Sequence, residues 1–311
     1  MKAVRIHQYG GREVLSIDDI PVPAIAPDEV LVRVVAASIN PVDWKVREGY
    51  LAQMIPHALP LTLGWDVSGV VEAVGAQVTG WQAGDAIFSR PDLARNGTYA
   101  EFVAIRANEC ARKPRTVSHV EAASLPLAGI TAWEAMMDTA QVKPGQRVLV
   151  QAGSGGVGSL AIQLVKAAGA TAIATASSRN RALVESLGVD QFVDYTATRV
   201  ADAVEPVDAV FDTIGGEVQE AAWSILKPGG IQVSIISPPS EEKANAMGLR
   251  AGFVFIGPNA PVLERLADMV DSGKLRPIVG AEFALEDIAA AHALSESGRA
   301  VGKIVLYVGK P

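Results

Sequence analysis

Gly153, Gly155 and Gly158 stand in G-x-G-x-x-G order within Val148-Leu149-Val150-Gln151-Ala152-Gly153-Ser154-Gly155-Gly156-Val157-Gly158. That spacing suits the holding of a dinucleotide. One glycine permits the tight turn out of a strand, one lets backbone approach a pyrophosphate, and one lets the next helix pack close. The phosphates then face unpaired helix N–H groups, so Ser154, Gly156 and Val157 are binding candidates together with the three glycines. About twenty residues on, where Asp or Glu would bond the ribose 2′-hydroxyl of NAD, the chain reads Ala176-Ser177-Ser178-Arg179-Asn180-Arg181, with no carboxylate before Glu185. Ser177, Ser178 and Arg179 would suit a 2′-phosphate, because a guanidinium binds phosphate where a carboxylate repels it. The cofactor expected is therefore NADPH. The plainer reading makes Arg179 and Arg181 a solvated helix start.

With 29 glycines in 311 residues, the spacing alone also fits an ordinary loop. Its neighbours decide. Val142 to Gln146 reads as a turn and Arg147 to Val150 as a strand, while Leu160, Ile162, Leu164 and Val165 form an apolar helical stripe. A second buried strand at Ala170 to Ala176 closes a βαβ unit. Helices and strands then alternate to about residue 256, which implies a parallel, doubly wound sheet. Before the loop, Ala3–Ile6, Glu29–Ala36, Val67–Val74, Ala86–Phe88 and Tyr99–Ile105 read as short strands. Val117 to Thr139 reads as helix, divided at Pro126. Late helices near 262–272 and 285–296 precede a strand at 303–308 that completes the first domain. Residues 1–120 plus 258–311 are thus expected to form one domain, and 121–257 a dinucleotide domain inserted into it. Pro238 to Lys243 is expected to be a mobile surface loop.

A net charge of −7 disfavours nucleic-acid or anionic-membrane partners, which need a positive field. No run of eighteen apolar residues and no signal-peptide pattern appears, so a cytoplasmic location is the expectation. The one cysteine, Cys110, excludes an internal disulfide and every zinc site built on two or more thiolates. His7, His57, His119 and His292 lack ligand spacing, so no metal site is expected.

Further motifs lie along the whole chain: Asn40-Pro41-Val42-Asp43-Trp44-Lys45, Leu63-Gly64-Trp65-Asp66-Val67-Ser68-Gly69-Val70-Val71, Gly97-Thr98-Tyr99-Ala100-Glu101, Leu127-Ala128-Gly129-Ile130-Thr131-Ala132, Lys227-Pro228-Gly229-Gly230 and Gly302-Lys303-Ile304-Val305. With these the sequence resembles the medium-chain dehydrogenase/reductase superfamily, in its zinc-independent quinone oxidoreductase and enone reductase branch. The resemblance implies an α/β fold: a GroES-like, mostly-β catalytic domain with an inserted doubly wound Rossmann domain. Zinc-using members carry a cysteine near Ser38 or Ile39 and Gly-His-Glu at Gly64-Trp65-Asp66, and neither set of ligands stands here. The activity implied is NADPH-dependent hydride transfer to a quinone or an α,β-unsaturated carbonyl. That chemistry needs only donors for the charge developing on oxygen. Asn40, Lys45 and Thr131 are the donors the resemblance places near the nicotinamide, and Tyr50 is a candidate proton donor. Lys45 also reads as a solvated strand-end lysine. Tyr195 is implied as a 2′-phosphate contact, and Phe253 and Phe255 lie on a segment implied to pass the nicotinamide or to pair between two subunits of a homodimer. The alternatives are an NADPH-binding protein without catalysis, crystallin-like or regulatory, and a zinc alcohol dehydrogenase.

Overall fold

A computed structural model describes residues 1–309. The chain begins with β1 (Lys2–Ile6), β2 (Leu15–Asp19), β3 (Glu29–Ile39), α1 (Pro41–Arg47), β4 (Leu61–Thr62), β5 (Val67–Val74) and β6 (Ala86–Ser89). Next come β7 (Phe102–Arg106), β8 (Cys110–Arg112), α2 (His119–Ala123) and α3 (Pro126–Trp133), which runs into a π-helical segment, Glu134–Thr139. The alternating region is β9 (Arg147–Val150), α4 (Gly156–Ala167), β10 (Thr171–Ala176), α5 (Arg181–Ser186), β11 (Gln191–Asp194), α6 (Val200–Ala203) and β12 (Val207–Asp212). It continues as α7 (Gly216–Ala222), β13 (Leu226–Ser234), α8 (Glu241–Ala246) and β14 (Arg250–Phe253). The chain ends with α9 (Ala260–Asp271), β15 (Val279–Ala284), α10 (Ile288–Glu296) and β16 (Lys303–Tyr307).

Two compact units result. The first holds Met1–Leu127, Gly257–Gly273 and Pro277 to the end of the described chain; the second holds Ala128–Ile256 and Lys274–Arg276. The expected boundary at 120/121 moves to 127/128, because Ala123 of α2 is buried with Ala36 and Val305 of the first unit's sheet. Lys274–Arg276 joins the second unit through α4, where Gln163 accepts the Arg276 N–H at 2.8 Å and donates to its carbonyl at 3.0 Å. The last two residues of the expected 258–311 segment lie outside the described residues.

The first unit contains the sheet β2-β1-β4 and a seven-stranded sheet in the order β15-β16-β3-β5-β6-β8, with β7 also on β3. β3 is the hub because its long apolar run, Glu29–Ile39, is buried along most of its length. One core joins Val30, Val32, Val71, Ile87 and Ile105; another joins Ile6, Ile39, Leu63, Trp65, Tyr99 and Leu306. The antiparallel register Ile304↔Ile39 sets Lys303 level with the end of β3, where Asn40 begins α1. That helix was not expected. Its start is nonetheless written in the residues: Asn40 is the N-cap, Pro41 takes the first position, and Asp43 accepts the Asn40 N–H at 2.6 Å.

In the second unit six parallel strands run β11-β10-β9-β12-β13-β14, over a core that includes Leu149, Ile173, Val207 and Val210. Strand order reverses between β9 and β12. In such sheets ligands bind beyond the carboxyl ends of the strands at that reversal. Of the expected mobile loop, Glu241–Lys243 instead opens α8, capped by Ser240 accepting the Lys243 N–H at 3.1 Å.

The turn out of β9 contains a departure from the glycine logic. Its left-handed residue is Ala152, with φ 48°, and not Gly153. Gly153 is needed for space: a Cβ there would lie 2.8 Å from Ala174 Cβ and 2.9 Å from Ile162 Cδ1. Gly158 lets α4 approach the turn, since its Cβ would stand 2.3 Å from the Ala152 carbonyl oxygen. A left-handed alanine is strained by roughly 1–2 kcal/mol, and glycine gives back roughly 0.4–1 kcal/mol through the looser unfolded chain. Ala152→Gly is therefore expected to stabilise the second unit by about 0.5–1 kcal/mol, read as a higher denaturant midpoint, whereas Gly158→Ala lowers it.

Candidate functional site

The glycine loop leaves β9 at the strand-order reversal. α4 begins at Gly156 with Gly155 as N-cap and no side chain capping its first N–H groups, which leaves them for an anion. Asn180 Nδ2 donates to Ser154 Oγ at 3.0 Å, tying this loop to the turn after β10. In that turn Arg179 Nε donates to Ser177 Oγ at 3.1 Å, and Ser178 and Arg179 are exposed. Arg181 is already committed. It pairs with Glu185 at 3.1 Å and stacks 4.2 Å above the Phe192 ring centroid. Tyr195 follows β11 and is exposed, as are Phe253 on edge strand β14 and Phe255 beyond it. Thr131 is buried within α3.

A part of this region that the sequence reading missed is the loop after β12. Asp212 is fully buried; its carboxylate accepts the N–H groups of Ile214 and Gly215 at 2.9 and 2.8 Å, the Gln219 amide at 2.9 Å and the Ser234 hydroxyl at 2.7 Å. Thr213 then donates to the Gln151 carbonyl at 3.0 Å, joining the β12 loop to the base of the glycine loop. The signal was an acidic residue closing an apolar strand just before Gly215-Gly216.

In the first unit, α1 carries two kinds of residue. Lys45 is half-buried, with Nζ 5.7 Å from the Trp44 ring centroid, and among the described residues it forms no ion pair. Tyr50 N–H donates to the Lys45 carbonyl at 3.0 Å, and its ring meets Trp44 edge-on at 6.3 Å. Tyr50 is 68% exposed, and a bond to Glu48 raises its pKa. Lys45, Trp44 and Tyr50 therefore form one accessible group. Lys45 lies on a helix rather than at a strand end.

Asn40 belongs elsewhere. It is buried, its Nδ2 donates to Asp66 Oδ2 at 2.8 Å, and its Oδ1 accepts from Lys303. Asp66 Oδ2 also accepts from Ser38 Oγ at 2.7 Å and faces Lys303 Nζ at 3.3 Å, while Oδ1 accepts the Leu127 N–H at 2.7 Å in the first turn of α3. Lys303 completes its set on the Ile39 carbonyl at 2.9 Å. Neither Lys303 nor Asp66 was singled out as a functional residue from the sequence. A lone lysine amid Ile304, Val305 and Leu306 was the available sign.

Beside this network Asp43 accepts the Tyr99 hydroxyl as well as the Asn40 N–H, and its Oδ1 is buried without a partner. Burial pushes its pKa up to about 7 and raises that of Tyr99 well above the usual phenol value.

These side chains do not suit zinc. Where zinc-using relatives place ligands, Ser38 donates to Asp66, Trp65 has only an indole N–H, given to the Arg95 carbonyl at 3.3 Å, and Asp66 already faces an ammonium.

Removing the Lys303 ammonium leaves Asp66 buried and uncompensated, so Lys303→Ala is expected to destabilise the first unit by roughly 3–5 kcal/mol in denaturant unfolding. Asp43 gives a pH signature. With its pKa raised by folding, it contributes stability that is complete below about 4 and lost as pH rises through about 7. Asp43→Asn keeps an oxygen for both donors, so the stability of the wild-type protein relative to this variant should fall between pH ~4 and ~7 and level off above.

Residues 26–115 match the alcohol dehydrogenase GroES-like domain family, and residues 187–306 the family described as zinc-binding dehydrogenase. The quinone oxidoreductase from Coxiella burnetii is similar in structure, with TM-score 0.94 and 37% identity over 99% of each chain. Escherichia coli quinone oxidoreductase complexed with NADPH gives TM-score 0.88 at 26% identity, over 99% of this chain and 100% of that one. In sequence, the NADPH-dependent alkenal/one oxidoreductase, chloroplastic, of Arabidopsis thaliana is 37% identical over 99% of this chain and 79% of its own length. With that coverage and the two-unit architecture, the chain belongs to the medium-chain dehydrogenase/reductase superfamily, in its branch of quinone oxidoreductases and enone reductases.

Proposed function

We propose that this protein is an NADPH-dependent, zinc-independent reductase of quinones or α,β-unsaturated carbonyls. The observation that carries the reading is the glycine cradle at the β9/β12 reversal, with its uncapped helix start and the Ser177–Arg179 turn tied to it through Ser154. Gly153 to Gly158 would hold the pyrophosphate, and Ser177, Ser178, Arg179 and Tyr195 the phosphorylated ribose. Phe253 and Phe255 would border the nicotinamide. Bound NADPH supplies the hydride. An electron-poor acceptor then needs a donor for the charge that appears on its oxygen, and Lys45 is suited to this because it forms no ion pair among the described residues. Tyr50 and Thr131 are the hydroxyl candidates for proton delivery or orientation. Asn40 acts through α1: its amide is held by Asp66 and Lys303, so it fixes the helix that carries Lys45.

The names of the relatives support this chemistry, and the side chains at the zinc-ligand positions support its independence of that metal. The reading includes a cytoplasmic homodimer. Support for the dimer is the open edge of β14, with exposed Phe253, which a second copy could cover.

Oxidation of NADPH in the presence of a panel of enones, alkenals and quinones tests the proposal. Turnover is expected with at least one acceptor class and with stoichiometric zinc absent from the purified protein. NADPH binding without turnover on any acceptor would favour a non-catalytic role, and zinc-dependent alcohol oxidation would overturn the reading. Lys45→Ala should lower kcat roughly tenfold to a hundredfold while changing the NADPH Kd by less than about threefold.

A further inference from the structure

The turn that would read the 2′-position contains a charge that sequence order conceals. Asp194 ends β11, and the parallel register Ala176↔Asp194 brings it level with the end of β10, two residues before Ser178. Its Oδ1 accepts the Thr196 N–H at 2.9 Å and the Thr196 hydroxyl at 2.7 Å. Ser178 lies near enough to the same carboxylate to help lower its pKa. The donors that Ser178 could offer a phosphate thus stand beside an anion. Thr196 first, then Ser178, hold Asp194 below the usual carboxylate range, so it stays charged at neutral pH.

Resting on the NADPH reading above, we propose that Asp194 is a specificity-determining residue that weakens discrimination in favour of a 2′-phosphorylated dinucleotide. A 2′-phosphate arriving at Ser178 must lie beside a like charge. A 2′-hydroxyl carries no charge to repel and can itself donate to the carboxylate. Arg179 opposes this effect. Its guanidinium is exposed, bonds only to Ser177 Oγ and forms no ion pair among the described residues. Discrimination is then the balance of one attracting and one repelling unit charge a few ångströms from the same phosphate, and water and salt reduce both. Asp194 is distinct from the acidic residue that usually reads the ribose, which ends the second strand of the nucleotide-binding sheet; here serines follow that strand and the carboxylate comes from its neighbour.

The test is equilibrium binding of NADPH and of NADH to the full chain, wild type against Asp194→Asn, followed by nucleotide fluorescence. Asparagine keeps an acceptor for Thr196 and removes the charge. The ratio of the NADH Kd to the NADPH Kd should rise roughly three- to tenfold at low salt and less at high salt. Asp194→Ser is expected to move the ratio the same way, which guards against a misfolded single variant. A ratio that stays the same or falls in both variants, in a protein that binds NADPH, overturns the role of Asp194 and leaves the NADPH reading standing. Wild-type protein that binds neither nucleotide overturns both.

Discussion

The first unit depends on one buried carboxylate. Asp66 has lost all contact with water, and a charge in that position persists only if its lone pairs are filled and a cation is near. Ser38, Asn40, Lys303 and Leu127 do this from three separate stretches of chain. Satisfying Asp66 therefore fixes the end of β3, the N-cap of α1, the start of β16 and the first turn of α3 at once. The arrangement also explains why the Gly64-Trp65-Asp66 stretch serves structure here: its acidic member is spent on an internal ammonium, and its aromatic member is packed with Leu63 and Tyr99 in the core.

The second unit solves the same problem without a cation. Asp212 is equally buried, but its four donors are two backbone N–H groups, an amide and a hydroxyl. Carboxylates satisfied by backbone N–H groups impose loop shape, because each accepted bond fixes a peptide plane. Asp212 shapes the 213–216 turn, which Thr213 then links to the glycine loop. Each unit thus uses an internal anion to set the backbone from which its candidate functional residues project.

Much of this was legible in the sequence where local signals agreed with tertiary demand. The glycine loop, its flanking strand and helix, and the alternation after it are local patterns of period two or near 3.6, and the structure follows them to within a few residues. α1 was missed because seven residues are too few for an apolar stripe, although its cap, its proline and Asp43 were visible. β15 was missed because its exposed residues, Gly280, Glu282 and Ala284, include no large apolar side chain, and its partner, β16, lies beyond an intervening helix. Lys303, Asp66 and Asp194 could not be assigned from spacing. Their meaning comes from register and burial, which bring together residues as distant as 40 and 303. Ala152 went unnoticed for the opposite reason: in a motif defined by glycines, the strained position is filled by another residue.

Charge commitment separates structural from chemically available residues in both units. Arg47 is an extreme of the first kind: fully buried, it is bonded to Glu48 at 2.7 Å, Glu296 at 2.8 Å and His292 at 3.0 Å. Lys303 is another. Each is surrounded by acceptors that fix its position, so neither can follow charge as it moves onto a substrate. Lys45 differs in having an aromatic neighbour and, among the described residues, no ion pair, which leaves its field uncompensated. The same contrast holds between Arg181, tied to Glu185 and Phe192, and Arg179, tied only to a serine hydroxyl. In a chain of net charge −7, an unpaired cation next to acidic residues would be neutralised by the nearest carboxylate unless the fold kept carboxylates away. At Lys45 the neighbouring acids are engaged: Asp43 is turned inward to Tyr99 and Asn40, and Glu48 is bonded to Arg47. The internal networks therefore do more than hold the backbone. By occupying those carboxylates, they leave the Lys45 ammonium without an ion pair among the described residues.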